Sequence, residues 1–345
     1  MRYQVITKKK LRIIGLLWIL TILFFGLELS GWLYPARAEV LLCGNELFPD
    51  SDGIYRLRGH LTCNPLTDPD TDPILDIKGD DAAYSKFDLR GLIATGDGVN
   101  TGIRIRDGAY NVTIVGGIFK KCETALRVEA NYCDIENFKA IDSSERAFRI
   151  KGDNNDIVKS LCLKAGGACF EIEGKGNDLI RLKAIDSSDN AIKEKGDSDN
   201  NFVSHCMSLR AGSDAFELRA KGTEGTTVEW CTAIKSGTPE NTARGIRFRG
   251  PGSAYKCSAF GNSAEGFQIQ ENVSGVTIER CLAINNAEDG IEIGEGAKGN
   301  TVKRNIAFAN GDGEYFWDLT ENNIDCEENS WKKNRFRTSN LDCIE

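Results

Sequence analysis

A motif that recurs about every 22 residues between positions 102 and 318 is the strongest constraint on how this chain can fold. Each copy has a small residue, a triplet with a polar residue between inward-facing positions, a Gly, Asn or Asp turn, and two more short apolar runs. The nine triplets begin at positions 103, 126, 148, 170, 192, 216, 246, 267 and 291. Period-two runs bounded by turn residues predict half-buried strands, and the fixed longer period predicts units that pack mainly on their neighbours.

The repeat also indicates the fold class. The chain lacks the leucine and asparagine pattern of a leucine-rich repeat, and no segment has an apolar stripe of helical period. We therefore predict an all-β solenoid, a parallel β-helix of about ten coils of about 22 residues, with three short strands per coil and terminal caps. Equivalent residues of successive coils then lie roughly 4.8 Å apart, so that sequence columns become ladders.

The N-terminal segment predicts export. Basic residues precede an apolar run at residues 13–27, and Ala36-Arg37-Ala38 follows as a possible cleavage site. We expect a signal peptide at 1–38, an N-terminal cap at 39–73, the parallel β-helix at 74–320 and a C-terminal cap at 321–345. The alternative is an uncleaved anchor, although the apolar run is shorter than the roughly 20 residues that span a bilayer. Cleavage would give a secreted, periplasmic or cell-envelope protein without membrane attachment, and we expect a monomer.

Residues 39–345 hold 37 basic and 50 acidic residues, a net charge of about −13. Nucleic-acid binding depends mostly on Lys and Arg contacts with phosphate. The charge balance therefore argues against a nucleic-acid partner, although it allows a local basic patch.

All twelve cysteines follow residue 38, and export would permit disulfides. We expect cap disulfides between Cys43 and Cys63 and between Cys326 and Cys343, since these pairs flank the repeat. A further column at the start of the third strand is predicted to hold Phe138, Leu161, Leu182, Cys206, Cys231, Cys257 and Cys281. We expect its cysteines to be reduced core residues, because neighbouring strands hold Cβ atoms farther apart than the roughly 3.5–4.5 Å of a disulfide. A metal or redox site is the alternative, but it needs convergent ligands.

Asx residues recur at two turns, where they favour left-handed backbone and local hydrogen bonds. The predicted columns are Asn111, Asp156, Asn177, Asn201 and Asn300 before the second strand, and Asp142, Asp186, Asn262, Asn285 and Asn310 after the third. Another acidic set could gather around calcium, namely Asp189, Asp214, Glu265, Glu288 and Asp289. No calcium-repeat motif supports this option, and we expect no cofactor.

The coil length, the Gly/Ala-Ile/Phe-x-Ile strand, the Asn-rich turns and the Asn-Val-Thr-Ile-Val-Gly-Gly segment at 111–117 resemble the right-handed parallel β-helix superfamily, the pectate-lyase-like group. The resemblance covers roughly residues 74–320. It implies a right-handed coil and an exported protein that cleaves, epimerises or binds acidic polysaccharide along the strand after the small residue. The catalytic signatures of polygalacturonases, pectate lyases and alginate epimerases are missing, and we expect His60 and His205 at the surface.

Two outward columns of that strand alternate in sign, which predicts a salt-bridge ladder. The first column is Arg104, Arg127, Arg149, Glu171, Lys193, Glu217, Arg247, Gln268 and Glu292, and the second is Arg106, Glu129, Lys151, Glu173, Lys195, Arg219, Arg249 and Gln270. The alternation fails at Arg104, Arg127 and Arg149, and again at Lys195, Arg219 and Arg249.

The second same-sign run adjoins a coil lengthened by a loop at residues 236–244, and function in repeat proteins tends to lie on such insertions. We therefore predict a substrate-binding groove made by Lys193, Lys195, Glu217, Arg219, Arg244, Arg247 and Arg249. Glu194 occupies an inward position, which requires either a buried partner such as a Lys or a local register change. The candidates for catalysis are Lys193, Glu194 and Glu217.

Three functions remain open from the sequence. The first is binding of an acidic extracellular or cell-envelope polysaccharide along the charged strand. The alternative is a polysaccharide lyase, epimerase or glycoside hydrolase with a non-standard site, and the third is a structural or adhesive rod.

Overall fold

The structure, a computed structural model, describes residues 39–42, 45–62, 73–79, 82–106, 108–238, 240–311, 316–323, 328–342 and 344. It confirms an all-β parallel solenoid in which each coil contributes one strand to each of three long sheets. We name these sheets A, B and C in the order in which a coil visits them. Within the described residues, no helix combines the length and the apolar character needed to cross a membrane.

Sheet A contains the strand that follows the small residue of each repeat. Its strands, in spatial order, are Asn45–Glu46, Glu39–Leu42, Leu75–Lys78, Ile103–Arg106, Thr124–Val128, Arg146–Ile150, Phe170–Ile172, Ile192–Glu194, Phe216–Leu218, Ile246–Phe248, Phe267–Ile269, Ile291–Ile293 and Leu319–Glu321.

Sheet B contains the second strand of each coil. Its strands are Ile54–Arg56, Lys86–Asp88, Thr113–Val115, Asp134–Glu136, Asp156–Val158, Asp178–Ile180, Phe202–Ser204, Thr226–Glu229, Gly252–Tyr255, Val276–Glu279, Thr301–Lys303 and Ser330–Lys332.

Sheet C contains the third strand. Its strands are Gly59–Thr62, Leu92–Thr95, Ile118–Lys120, Lys139–Ser143, Leu161–Ala165, Lys183–Ser187, Met207–Leu209, Thr232–Ile234, Ser258–Phe260, Leu282–Ile284 and Ile306–Phe308.

The register in sheet A confirms the predicted columns. Arg127 pairs with Arg104 on one side and Arg149 on the other, and the same one-to-one match continues from Arg149 to Glu171 and Lys193. The inward residues of these strands fill the core, where the rings of Phe148 and Phe170 stack with centroids 4.4 Å apart. Because the register is parallel, residues some 22 positions apart in sequence are side by side on one face.

Parallel stacking extends beyond residues 74–320 at both ends. Ile54–Arg56 pairs with Lys86–Asp88, and Ser330–Lys332 pairs with Thr301–Lys303. Glu39–Leu42 pairs antiparallel with Leu75–Lys78, so it covers the first edge of sheet A. The four cysteines predicted to staple the caps, Cys43, Cys63, Cys326 and Cys343, lie outside the described residues.

An asparagine ladder at the turn before sheet B runs inside the coil. Asn155 Nδ2 donates to Asn177 Oδ1 at 3.1 Å, and Asn177 Nδ2 donates to Asn201 Oδ1 at 3.3 Å. The ladder therefore contains Asn155, and the prediction that placed Asn111 and Asp156 in this column was wrong by one residue at each position. Asp156 instead begins a sheet B strand.

A second ladder at the turn after sheet C has the same construction. Asn262 Nδ2 and Asn286 Nδ2 donate to the next asparagine of the ladder at 2.8 Å each, and the series ends at Asn310. The predicted member Asn285 lies one residue earlier, in left-handed conformation at φ 54°.

The cysteine column before sheet C is confirmed as reduced and buried, since Cys206, Cys231, Cys257 and Cys281 form no disulfide. Ser160, rather than the predicted Leu161, belongs to this column, because Ser160 Oγ accepts a hydrogen bond from the backbone of the preceding coil. A disulfide that the sequence did not reveal joins Cys162 to Cys169, with Cα atoms 5.7 Å apart. It links the second residue of the sheet C strand Leu161–Ala165 to the residue directly before the next sheet A strand, Phe170–Ile172.

Candidate functional site

The outward face of sheet A is strongly basic over its first eight parallel strands. The face is formed by the two outward columns and by the residue that precedes each small residue. From Asp76 to Arg249 these positions hold thirteen basic and six acidic residues. The basic residues are Lys78, Arg104, Arg106, Arg127, Arg146, Arg149, Lys151, Lys193, Lys195, Arg219, Arg244, Arg247 and Arg249, and the acidic residues are Asp76, Glu129, Glu171, Glu173, Asp214 and Glu217. We call this region the cationic stretch.

Ion pairs between coils confirm the predicted salt-bridge ladder. Glu129 lies 2.9 Å from an Nη atom of Arg104 and also contacts Arg127, while Glu173 lies 3.0 Å from Arg149 and 3.6 Å from Lys151. Each of these two carboxylates therefore forms ion pairs with two basic side chains. The ladder leaves a surplus of positive charge.

Glu171 is the most crowded carboxylate of the stretch. Lys195 Nζ lies 2.7 Å from one oxygen, Arg146 Nε lies 2.9 Å from the same oxygen, and Arg149 Nε lies 3.4 Å from the other. Burial raises the pKa of Glu171, but hydrogen bonds from Lys195 and Arg146 outweigh burial, so the pKa lies below its ordinary value. Glu171 is therefore ionised at neutral pH and orders three cations of the face.

Arg219 and Arg249 project from the same face, because both guanidinium groups reach Glu217 Oε1. The distance is 2.7 Å from Arg219 Nε and 2.6 Å from Arg249 Nη1. Burial raises the pKa of Glu217, but hydrogen bonds from Arg249 and Arg219 bring it below the ordinary value. Two cations around one carboxylate leave a net positive charge at this point.

The other predicted ligands also contact carboxyl groups. Lys193 Nζ lies 2.7 Å from Asp189, and Arg247 Nη1 lies 3.5 Å from Asp214. The backbone N–H of Arg244 donates to Asp214 Oδ1 at 2.8 Å. The structure thus brings the seven predicted groove residues onto one face, where their cations are held in place by acidic neighbours.

Glu194 is inside the coil and only 1% exposed, so it does not reach this face. The partner suggested from sequence was a Lys, but Glu194 accepts hydrogen bonds from Asn201 Nδ2, Thr226 Oγ1 and the backbone N–H of Arg219. Burial raises the pKa of Glu194 despite these three donors. The pairing register with the next strand also stops at Lys193, one residue before Glu194. Its visible role is to fix the backbone beneath Arg219.

The inserted loop packs against the preceding coil on the sheet C side. Asn241 Nδ2 donates to the carbonyl of Gly212 at 2.6 Å, and Thr238 and Asn241 close a tight turn. The loop forms one wall of a surface depression of about 670 Å³ that Arg210 and Lys235 also line. The loop therefore supports the residues that lead into the strand Ile246–Phe248, and its contacts are on the sheet C side of the coil.

The next two coils of the same face have a different character. The carboxyl groups of Glu265 and Glu292 both accept from Gln268 Nε2, at 3.0 and 2.6 Å, and Arg244 Nε lies 2.9 Å from Glu265. Burial and a hydrogen bond with Glu292 raise the pKa of Glu265 to about 9. Nearby, burial raises the pKa of Asp289 to about 6. The Glu265–Glu292 pair therefore holds a proton at neutral pH.

Glu292 of this pair lines an open pocket of about 310 Å³ together with Arg247, Gln268 and Gln270, among others, and Glu265 adjoins the pocket through its hydrogen bond with Gln268. Gln268 is 8% exposed, and within the part of the chain that the structure describes its Oε1 has no hydrogen-bond partner. We call Glu265, Gln268, Gln270, Asp289 and Glu292 the carboxyl pocket. Sequence reasoning missed it as a site, although the change from charged residues to Gln268 and Gln270 in both columns was a visible signal.

The acidic residues considered for calcium do not converge. Across the described ranges, no group of three or more His, Cys, Asp or Glu side chains is placed to hold a metal ion. Asp189 and Asp214 instead contact Lys193, Arg244 and Arg247. His60 and His205 are both exposed, as the sequence predicts.

Comparison with known proteins agrees with this architecture. The family described as "Right handed beta helix region" matches residues 226–330. The A-module of the mannuronan C-5 epimerase AlgE4 from Azotobacter vinelandii superimposes with a TM-score of 0.67, at 11% identity, over 83% of this chain and 87% of that one. The described residues thus have the right-handed parallel β-helix fold.

Two further structures resemble this β-helix protein less closely. The first is the catalytic domain of a GH87 α-1,3-glucanase in complex with nigerose, with a TM-score of 0.45 and 12% identity over 86% of this chain and 63% of that one. The second is pectate lyase Pel9A, with a TM-score of 0.43 and 14% identity over 71% of each chain. No curated protein matches the chain in sequence. At such low identity the similarity to the epimerase shows the fold alone.

Proposed function

We propose that this β-helix protein is exported and binds an acidic polysaccharide along the cationic stretch. The observation that carries the proposal is the excess of thirteen basic over six acidic residues on one face, in a chain whose residues 39–345 are strongly acidic overall. Such a local excess attracts a polyanion even when the whole protein would repel it. A polysaccharide ligand also accords with the epimerase of similar fold, which is named for its action on mannuronan.

The geometry suits a polymer with a repeating carboxylate. Eight strands at a spacing of roughly 4.8 Å give a straight row roughly 34 Å long. Most of the cations are Arg, whose planar fork can bind a carboxylate through two parallel hydrogen bonds. Arg219 and Arg249 share a single carboxylate, so each retains N–H groups for a ligand.

The test is binding of polygalacturonate and alginate to Arg219→Gln/Arg249→Gln by titration calorimetry. We expect the affinity to fall at least about tenfold, because each charge-assisted hydrogen bond contributes roughly 1.5–3 kcal/mol. Lys121→Gln/Lys235→Gln is the matched control, since it removes two charges at the corner between sheets C and A that do not belong to the stretch. Equal affinities of the two variants would rule out the cationic stretch as the binding site.

A second candidate function, polysaccharide lyase or epimerase, is favoured by the carboxyl pocket, where a protonated Glu265 adjoins Glu292. Hydrolysis with this pair fits less well, because glycosidase carboxyls are separated by roughly 5 Å or more and these two share a hydrogen bond. Incubation with polyuronates, followed by absorbance of unsaturated products and by NMR of the uronate epimers, separates catalysis from binding. A structural rod would neither bind nor convert these polymers.

A further inference from the structure

A second basic row runs along the corner between sheets B and C, on residues that the charged strand columns do not include. In eight consecutive coils the residue directly after the sheet B strand is held in left-handed conformation, with φ between 52° and 58°. These residues are Lys159, Arg181, His205, Trp230, Lys256, Arg280, Arg304 and Lys333. We call this row the corner ridge.

The backbone conformation does not explain these side chains. Left-handed backbone favours Gly and Asn and is disfavoured for long or aromatic side chains. The same corner holds Gly116 and Asn137 in two earlier coils, at φ 79° and 57°. Turn formation alone therefore accounts for Gly116 and Asn137, but it does not explain why the eight later positions hold six basic residues and no acidic one.

The corner between sheets C and A provides a comparison within the same molecule. It has the same left-handed conformation, but its side chains are of mixed charge. Its residues include Lys121, Asp142, Lys164, Asp186, Arg210, Lys235 and Asn285. Charge of one sign is thus a property of the corner ridge, and not of left-handed corners in this fold.

The ridge is exposed and only partly neutralised. Arg280 and Arg304 approach Glu279, and Lys159 lies 2.9 Å from Glu136. Within the described residues, Arg181, Lys256 and Lys333 form no ion pair. The ridge therefore presents a net positive charge over a length of roughly 34 Å.

Trp230 lies in the middle of the ridge and is 47% exposed. The ring of His205 stacks on one side of the indole at 6.0 Å between centroids, and Lys256 Nζ lies 4.0 Å from the ring centroid. Because His205 and Lys256 of the neighbouring coils lie against the ring, the indole is not an open platform for a sugar ring. This arrangement argues against the ridge being a second sugar-stacking site.

We propose that the corner ridge docks on an anionic lipid surface. A straight row of basic side chains on a convex corner can touch a plane along its whole length, whereas it does not enclose a single polymer chain. Lys and Arg bind anionic headgroups, and Trp is enriched at the membrane–water interface. The corner between sheets B and C is also the one corner of the coil that does not border sheet A, so docking leaves the cationic stretch free. This peripheral contact requires no spanning segment and is independent of the polysaccharide proposal.

The experiment measures partition of the full chain onto phosphatidylcholine vesicles with and without phosphatidylglycerol. Lys159→Gln/Lys256→Gln/Lys333→Gln is compared with Lys121→Gln/Lys164→Gln/Lys235→Gln, which removes the same charges from left-handed positions of the other corner. Each basic residue near an anionic surface contributes about fivefold in affinity, so we expect the ridge variant to lose on the order of 100-fold in its preference for anionic vesicles. The control variant should change little, because it leaves the docking row complete.

Emission of Trp230 is the second measurement, taken as the difference between the wild type and Trp230→Phe. We expect a shift to shorter wavelength with anionic vesicles, since the indole edge enters the interface. Equal vesicle binding by the two triple variants, or no shift of Trp230, would overturn the proposal. Loss of polygalacturonate binding in the ridge variant, with vesicle binding intact, would overturn it too and would assign the ridge to polysaccharide.

Discussion

The cationic stretch and the carboxyl pocket belong to one face, yet one buried carboxyl group in each, Glu171 and Glu265, has the opposite protonation state at neutral pH. Glu171 contacts three basic side chains and keeps its pKa below the ordinary value. Glu265 contacts Arg244 and shares Gln268 with Glu292, and its pKa rises to about 9. The two residues are almost equally buried, at 2% and 4% exposure. Burial raises the pKa of both carboxyls, and the charge of the adjacent coils decides the outcome: basic side chains outweigh burial at Glu171, whereas Glu292 adds to it at Glu265.

This difference shows how a solenoid controls charge. Every outward residue has its nearest neighbours in the coils before and after, roughly 4.8 Å away, so that the residue about 22 positions distant matters more than the next one along the chain. Glu217 is followed by Arg247 in register, whereas Gln268 is followed by Glu292. Where Gln and Glu replace basic residues in the columns, the excess of positive charge on the face ends and a carboxyl group keeps its proton at neutral pH.

The largest expected effect is on stability. It is measured by making the same Glu→Gln substitution at two positions, one in the cationic stretch and one in the carboxyl pocket. Glu171→Gln should lower the free energy of unfolding at pH 7 by about 2–3 kcal/mol, because it removes a buried charge that three cations need. Glu265→Gln should instead raise the free energy of unfolding at pH 7, by about 2–4 kcal/mol, since Gln resembles the protonated carboxyl of the native state and removes the cost of protonating a group that is ionised in the unfolded chain. Urea unfolding of both variants measures the difference. Equal losses would show that the two carboxyls do not differ in charge.

The second prediction is a dependence of stability on pH. Native Glu265 keeps its proton up to pH about 9, whereas an unfolded Glu loses it near pH 4.3. Between these values the native state binds more protons, so its stability falls as the pH rises. From pH 7 to 9 we expect a loss of about 1–2 kcal/mol in the free energy of unfolding, given about 1.4 kcal/mol per pKa unit and a proton shared with Glu292.

Glu265→Gln should abolish this slope, and Asp289→Asn is its control. The pKa of Asp289 lies at about 6, so Asp289→Asn should alter the pH dependence of stability only below that range and leave the slope between pH 7 and 9 unchanged. An unchanged slope between pH 7 and 9 in Glu265→Gln would assign the titration to another group.

The sequence predicted the fold and the strand face well because both depend on the repeat period. Each apolar triplet had to lie in register with the next, so the neighbours of Arg149 and Glu217 followed once the coils were aligned. The same alignment correctly placed Arg219 and Arg249 on one face. Parallel pairing converts a sequence column directly into a spatial row, which few other folds do.

The errors arose where the period does not determine the answer. Adjacent Asx residues at Asn155-Asp156 and Asn285-Asn286 match the pattern equally well, and only the hydrogen-bond geometry identifies Asn155 and Asn286 as ladder members. The Cys162–Cys169 disulfide depends on how closely two strand ends approach across a turn. The proton on Glu265 depends on burial together with three neighbours from different coils, which no single column displays.

The smallest effect sharpens the comparison by removing one cation at a time. Lys195 is one of three basic groups at Glu171, and its side chain is 36% exposed, so solvent screens the pair. Lys195→Met should therefore cost less than about 1 kcal/mol in urea unfolding at pH 7, because Arg146 and Arg149 still neutralise Glu171 and the aliphatic stem is kept. Lys221→Met, which removes an exposed pair with Asp197, is the matched control and should cost still less. A loss for Lys195→Met as large as that for Glu171→Gln would mean that Arg146 and Arg149 do not replace Lys195 in holding the carboxylate in its charged form. Lys195 would then be committed to Glu171 and would not be a surplus cation available to a ligand.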